Sequence, residues 1–155
     1  MLLLNPSDLL RTGKGISRID TRFSNSHQEK SKIKHKILVI DDSITTRTLE
    51  KNILEMAGFE VLLAKDGIEG LEMSRTPGCS LVLADIQMPG LNGLELTQEI
   101  KRDPKIKHLP VVLISSLDSP DVKTKVAQSG ADAFIIKGQF DQNQFLEIVR
   151  NMIVV

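Results

Sequence analysis

The sequence predicts an α/β fold, a doubly wound (βα)5 domain built on a five-stranded parallel sheet. Five apolar runs of strand length recur after residue 35, and each is nearly continuous rather than alternating with polar residues. Strands covered on both faces of a parallel sheet have this pattern. The segments between the runs are long enough for crossover helices, and right-handed crossovers place helices on both faces. We therefore expect five strand–helix pairs in a single sheet.

The predicted strands are the apolar runs themselves. The first, KILVI, is followed directly by Asp41 and Asp42, and the last, DAFIIK, ends at Lys137. Gly and Pro residues flank several of the runs, as expected for strands that are bounded by turns. The predicted strands are 36–40, 59–64, 80–84, 110–115 and 132–137.

Cap signals define the helices between these strands. Gly58 follows an apolar stripe as a C-terminal cap would, and Ser119 precedes Pro120 as an N-cap precedes a proline at the first helical position. Two further pairs have the three-residue spacing of a capping box: Asp66 with Glu69, and Asp141 with Gln144. The predicted helices are 43–57, 66–75, 93–102, 119–129 and 141–151.

Charge divides the chain into a basic head and a mildly acidic body. Residues 1–36 hold eight lysines and arginines against three acidic residues, which leaves twelve against seventeen for the remaining residues. The segment 11–35 is rich in Ser, Lys, Gly and Asn and has no sustained periodicity, so we interpret it as a flexible basic linker. The one cysteine, Cys79, excludes a disulfide framework and fits a cytoplasmic location. We expect neither membrane insertion nor nucleic-acid binding, because there is no long apolar span and no aromatic interleaving of the basic residues.

Polar side chains follow the apolar runs where the predicted strands end. They are Asp41, Asp42, Asp85, Ser115 and Lys137. In doubly wound sheets the ligand site lies at this edge, beside the point where the strand order reverses. Each residue alone could cap a helix or satisfy a turn. Three carboxylates, a hydroxyl and a lysine at one edge nevertheless form a chemically coherent set.

The chemistry of this set points to phosphoryl transfer. Clustered carboxylates raise one another's pKa unless a cation lies among them, and hard oxygen ligands with open water positions favour Mg²⁺. A carboxylate can be the nucleophile in covalent phosphoryl transfer, while metal, lysine and hydroxyl neutralise the charge on the phosphoryl oxygens. We therefore predict a magnesium-dependent phosphoryl site.

The body of the chain resembles the receiver domains of two-component response regulators over about residues 36–152, and we assign residues 36–155 to such a domain. The resemblance lies in the paired Asp41-Asp42 and in the motifs DIQMPGLNG (85–93), VVLISS (111–116) and GADAFIIK (130–137). It implies the flavodoxin-like strand order 2-1-3-4-5. It also implies a domain that takes a phosphoryl group from the phosphohistidine of a histidine kinase or phosphotransfer domain. Such a domain catalyses its own phosphorylation and dephosphorylation and has no separate substrate.

The resemblance assigns a role to each site residue. Asp85 is the phosphoacceptor. Asp42 and Asp85 bind Mg²⁺ directly, together with the backbone carbonyl of Gln87, and Asp41 supports the metal through water. Ser115 and Phe134 are the switch residues, which alter the surface of the fourth helix, fifth strand and fifth helix for a downstream protein that the sequence does not identify. Lys137 pairs with the phosphoryl oxygens. Gln87 and Leu117 line the approach to the phosphoryl group and influence the rate of its hydrolysis.

Two features of the sequence indicate which group of receiver domains this chain resembles. Receivers usually have proline after the lysine, often with a cis bond, whereas this chain has Gly138, so we expect the Lys137–Gly138 bond to be either trans or strained. The segments 41–61 and 135–149 resemble the C-terminal receivers of hybrid chemotaxis-type histidine kinases. Residues 1–10 resemble the end of the adaptor-like regulatory domain that precedes such receivers; the alternative is an amphipathic start without function.

Three other functions share part of this pattern. A degenerate receiver could act only as a protein-interaction module, although every position that the chemistry needs is filled. A flavodoxin-like FMN carrier would share the fold, but the chain has no Trp or Tyr to sandwich a flavin. A haloacid-dehalogenase-type phosphatase needs an Asp-x-Asp spacing that Asp41-Asp42 does not provide.

Overall fold

The computed structural model describes residues 34–139 and 141–153, and in these residues five strands alternate with five helices. The strands are β1 (Lys36–Ile40), β2 (Glu60–Ala64), β3 (Cys79–Asp85), β4 (Val111–Ser115) and β5 (Ala133–Ile136). The helices are α1 (Ile44–Met56), α2 (Gly67–Met73), α3 (Gly93–Arg102), α4 (Pro120–Ser129) and α5 (Gln142–Met152). Apart from Lys34 and His35, the predicted segments 1–10 and 11–35 lie outside the described residues.

All strand pairs are parallel, and the sheet order is β2-β1-β3-β4-β5, which confirms the predicted order 2-1-3-4-5. One apolar cluster joins the sheet to α2, α3 and α4, and includes Leu38, Leu96 and Val126. A second cluster on the other face joins it to α1 and α5, and includes Leu54 and Phe145. The sheet is therefore buried on both faces, which explains why its strands are continuous apolar runs.

The helix ends follow the predicted cap signals with one difference. Asp141 and Gln144 form a complete capping box at the start of α5. Ser119 caps α4, since its side chain accepts a hydrogen bond from the Val122 amide in the first turn of that helix. At α2, Asp66 caps the Glu69 amide, but the Glu69 carboxylate accepts from the Lys65 amide instead of closing the box on Asp66. A capping box that was not predicted, Asn92 with Glu95, begins α3.

No helix in the described ranges is both long enough and apolar enough to span a bilayer. The described strands all end at the same edge of the sheet because they are parallel. The order reverses between β1 and β3, so the residues that follow these two central strands face one crevice.

Candidate functional site

Three aspartates meet where β1 and β3 end. Carboxylate oxygens of Asp41, Asp42 and Asp85 all lie within 4.8 Å of one another. Asp41 and Asp85 are buried, whereas Asp42 is exposed. β1 and β3 are hydrogen-bonded neighbours, so residues that are far apart in sequence are brought together by strand pairing alone. The cluster offers hard oxygen donors of the kind that Mg²⁺ prefers, and its open side admits water.

Lys137 follows β5 and extends toward this cluster. Its ammonium lies 3.3 Å from Oδ2 of Asp85 and 4.0 Å from Oδ2 of Asp41. Its backbone amide donates to the Ser115 carbonyl at 2.8 Å, which continues the pairing of β5 with β4 beyond the last strand residue. The lysine backbone is thus anchored to the sheet beside β4, and its ammonium reaches across the end of β4 to the carboxylates.

Local backbone contacts orient Asp41. Its Oδ1 accepts a hydrogen bond from the Ser43 amide at 2.8 Å, while its backbone carbonyl accepts from the Arg47 guanidinium at 2.6 Å. Burial raises the pKa of the Asp41 carboxyl, the Ser43 amide opposes that effect, and the nearby Asp85 carboxylate raises the pKa further. A cation among the carboxylates would relieve both the burial cost and the repulsion.

A glycine allows α3 to begin directly beside Asp85. A Cβ on Gly93 would lie 2.5 Å from the Asp85 carbonyl oxygen and 2.8 Å from Cα of Ile86, both closer than side chains normally approach. The Gly93 amide donates to the Ile86 carbonyl at 2.9 Å. On the other side, Oδ1 of Asp85 accepts from the Gln87 amide at 3.2 Å, so the carboxylate is held by its own loop.

Ser115 and Phe134 project from the same face of the sheet. Leu113 pairs with Phe134, and paired residues of adjacent strands share a face, as do residues two apart such as Leu113 and Ser115. Ser115 is completely buried, and its Oγ accepts from the Leu117 amide at 3.0 Å. Phe134 is half-buried and packs against the cluster under α4. A shift of the Ser115 hydroxyl would therefore change the packing on the face of the sheet that carries Phe134.

Gln87 and Leu117 lie beside the site on exposed loops. The Gln87 side chain accepts a hydrogen bond from the Ser116 hydroxyl at 3.3 Å, and Leu117 is 48% exposed. Their backbone amides donate to Oδ1 of Asp85 and to Oγ of Ser115, respectively. Their predicted influence on hydrolysis stays a prediction.

The loop after Lys137 has no cis peptide bond in the described residues, so the Lys137–Gly138 bond is trans. Gly138 adopts φ +84°, a left-handed conformation that L residues with a side chain rarely take. The glycine thus allows a tight turn, in which the Gln139 amide donates to the Ile136 carbonyl. Of the two predicted alternatives, the trans bond is the one observed.

The response regulator receiver domain model matches residues 37–150 of the chain. This chain belongs to the response regulator receiver domain family. The match reaches all ten elements described above, leaving out only the first residue of β1 and the last two of α5, and it includes every predicted site residue. Residues 37–150 therefore form a receiver domain of two-component signalling.

Three relatives illustrate the similarity of this receiver to known proteins. The gliding motility regulatory protein of Myxococcus xanthus is 36% identical over 104 residues, which are 67% of this chain and 13% of that protein. The polar-differentiation response regulator DivK of Brucella anthropi is 27% identical over 115 residues, or 74% of this chain and 93% of DivK. The structure of chemotaxis protein CheY4 of Vibrio cholerae superposes with a TM-score of 0.72 at 26% identity, covering 78% of this chain and 100% of CheY4. The receiver therefore spans nearly all of DivK but only a small part of the Myxococcus protein.

Two residues near the receiver's site were not predicted from the sequence. Arg47 holds the backbone at the end of β1, and Glu50 is buried on α1 behind the site. A signal for Glu50 was present, because it lies three and four residues before Ile53 and Leu54 and thus falls on the apolar stripe of the helix. A polar residue on such a stripe identifies a position where charge is buried.

Proposed function

We propose that this receiver domain accepts a phosphoryl group on Asp85 in a reaction that requires Mg²⁺. The observation that carries the proposal is the convergence of Asp41, Asp42 and Asp85 with the ammonium of Lys137, 3.3 Å from the Asp85 carboxylate. Receiver domains bind Mg²⁺ at an acidic site of this kind. The donor set fits the ion, since it consists of carboxylate oxygens, two of them buried.

Asp41, Asp42, Asp85 and the backbone carbonyl of Gln87 would hold the metal. Bound there, Mg²⁺ would neutralise charge on the transferring phosphoryl oxygens. An oxygen of the Asp85 carboxylate attacks phosphorus while the phosphorus–nitrogen bond of a phosphohistidine breaks. The bonding electrons stay on the imidazole nitrogen, which takes up a proton, and Asp85 becomes an acyl phosphate that water later hydrolyses. An ionised carboxylate needs no general base for this step.

Lys137 and Ser115 complete the site in this proposal. The lysine, already beside Asp85, forms an ion pair with the phosphoryl oxygens. The Ser115 hydroxyl exchanges its bond from the Leu117 amide for one to the phosphoryl group, and the space it leaves allows Phe134 to turn inward. The population of the altered α4–β5–α5 surface then rises, and a downstream protein binds it with changed affinity.

The proposal also covers the phosphoryl donor and the signalling system to which this receiver belongs. Receiver domains interact with histidine kinases or phosphotransfer proteins, so the donor is one of these. We further propose a chemotaxis-type hybrid kinase as the larger system. One support is the resemblance of segments 41–61 and 135–149 to the C-terminal receivers of hybrid chemotaxis-type histidine kinases. The other is the similarity of this chain to a small part of the much longer Myxococcus motility regulator.

The test uses acetyl phosphate with Mg²⁺ on the wild-type chain and on Asp85→Asn, with Asp121→Asn on exposed α4 as a matched carboxylate control. Intact-mass spectrometry should show a phosphoryl adduct on the wild type and on the control, but none on Asp85→Asn or after metal chelation. An adduct on Asp85→Asn would contradict the proposal. No adduct on folded wild type, with amide spectra unchanged by beryllofluoride, would favour the interaction-module alternative.

The chemotaxis context is tested separately by donor preference. Phosphorylated phosphotransfer domains of chemotaxis-type kinases and of sensor kinases are presented at equal concentration, and transfer to Asp85 is timed. Faster transfer from the chemotaxis type is expected. Equal or slower transfer would refute the context and leave the phosphoacceptor role intact.

A further inference from the structure

A cavity lies between α1 and the start of α5, on the opposite face of the sheet from Phe134. Its volume is about 350 Å³, which lies within the range of small-molecule sites in proteins. Ile53, Ile114 and Phe145 supply an apolar wall, while Glu50, Lys137 and Asp141 supply the ionisable groups. The cavity shares only Lys137 with the phosphoacceptor site.

The Glu50 carboxyl is the unusual group in this cavity. The residue is only 9% exposed, yet its side chain makes no hydrogen bond or ion pair with any residue that the structure describes. Buried carboxyl groups are normally paired, because leaving one without a partner costs the full desolvation of the group. Asp41, which is 1% exposed, has the Ser43 amide as a partner. Glu50 thus has capacity for a partner that none of the described residues provides.

The charges around the cavity favour a cation as that partner. The Lys137 ammonium is directed to Asp85 and Asp41 rather than to Glu50. Asp141 contributes a second carboxylate, one oxygen of which caps the Gln144 amide. Burial, assisted by the Asp41 and Asp85 carboxylates and opposed by Lys137, raises the pKa of Glu50 to about 8. An ammonium group beside Glu50 would stabilise the ionised form and relieve this cost.

We propose that this cavity binds a small amphipathic amine, whose ammonium group pairs with Glu50 and whose apolar body packs against Ile53, Ile114 and Phe145. The charge-assisted hydrogen bond selects the cation, and the apolar wall selects a hydrocarbon or aromatic body rather than a bare ion. The site requires neither Mg²⁺ nor a phosphoryl group. Its test is therefore independent of the proposed phosphoacceptor function.

The probe is 2-phenylethylamine, compared with its neutral isostere 2-phenylethanol and with phenylacetate. Each is titrated into the full chain without Mg²⁺, and the amide and methyl resonances of Ile53 and Ile114 are followed by NMR. Saturable shifts at these residues are expected with the amine. The alcohol should bind about tenfold more weakly or worse, since it lacks the charge-assisted bond, and phenylacetate should not bind.

Two variants locate the interaction. Glu50→Gln keeps the shape of the side chain but removes its charge, and should weaken amine binding about tenfold or more. Glu55→Gln changes net charge equally on the exposed side of the same helix, and should leave binding unchanged. The proposal is overturned if the amine produces no saturable shifts at the cavity, if alcohol and amine bind equally to the wild type, or if both variants weaken binding alike. The comparison of amine with alcohol needs no variant, so it holds even if Glu50→Gln perturbs the fold.

Discussion

The Lys137 ammonium lies 3.3 Å from Oδ2 of Asp85, although the two residues are 52 positions apart in the chain. β3 and β5 are not neighbours, because β4 separates them in the sheet. The long lysine side chain therefore crosses the end of β4 to reach the carboxylate that ends β3. This ion pair places a cation where negative charge would develop on a phosphoryl group bound to Asp85.

Lys137→Ala should slow phosphorylation of Asp85 by acetyl phosphate by about 100-fold, because one preorganised cationic contact to the transition state is lost. The initial rate of adduct formation, measured by intact mass at saturating Mg²⁺, is the readout. Lys123→Ala, an exposed lysine paired with Asp118 on the α4 side, is the control and should react at the wild-type rate. A wild-type rate in Lys137→Ala would remove the lysine from the mechanism.

Mg²⁺ should stabilise the folded protein, because the carboxylate cluster exists only when β1 and β3 are paired. At a free concentration 100 times the Kd, the gain is about 2.7 kcal/mol in the free energy of unfolding. Asp42→Asn should lose most of this gain, whereas Asp121→Asn should retain it. Thermal unfolding with and without chelator measures the effect, and equal stabilisation of both variants would show that the metal binds elsewhere.

Ser115→Ala should uncouple Phe134 from the phosphoryl site. In the wild type, Mg²⁺ with beryllofluoride should shift the Phe134 ring resonances; in Ser115→Ala the amides around Asp85 should still respond while the ring does not. Ser116→Ala, which removes an exposed hydroxyl bonded to Gln87, is the matched control. A full Phe134 response without the Ser115 hydroxyl would contradict the switch.

Gly138→Ala should destabilise the fold by about 1 kcal/mol, since alanine is strained at positive φ. A Cβ at this position meets no atom within 4 Å, so the cost is one of backbone conformation rather than of a clash. Gly138→Asn should cost less, because asparagine tolerates left-handed backbone better. Denaturant unfolding measures both variants, and equal losses would argue against a conformational cause.

Glu50→Gln should stabilise the protein at high pH and not at low pH. The pKa of Glu50 is raised from 4.5 to about 8 in the folded state, so below pH 4.5 the carboxyl is protonated in both states and carries no ionisation penalty. As the pH rises toward 8, the unfolded state ionises first and the wild type loses stability. The advantage of the variant should grow across this window by several kcal/mol, since a shift from 4.5 to about 8 corresponds to roughly 5 kcal/mol at about 1.4 kcal/mol per unit.

Chemical denaturation of Glu50→Gln and wild type at pH 5 and at pH 8.5 measures this difference. Glu55→Gln, on the exposed side of α1, shows how much a charge change alone contributes. A pH-independent difference between Glu50→Gln and wild type would mean that the buried carboxyl is not the cause.

Local signals in the sequence were sufficient for most of the architecture. The strand and helix bounds differ from the predicted ones by at most two residues, because buried parallel strands and capped helices have distinctive local patterns. The partner of the Glu69 carboxylate was predicted wrongly. Whether that side chain bonds to residue 65 or 66 depends on the path of the chain into α2, which cap spacing does not determine.

By itself, the sequence determined the fold class, the strand order through its family resemblance, and the residues that end each strand, including Asp41, Asp85 and Lys137. Only the tertiary structure decided which of their atoms meet, the left-handed turn at Gly138, and the burial of the Glu50 carboxyl in the wall of a cavity. The physical reason is the distance along the chain over which each interaction acts. Patterning and capping act over a few residues, whereas the environment of a buried charge is set by side chains from elements that are distant in sequence and adjacent only after the chain has folded.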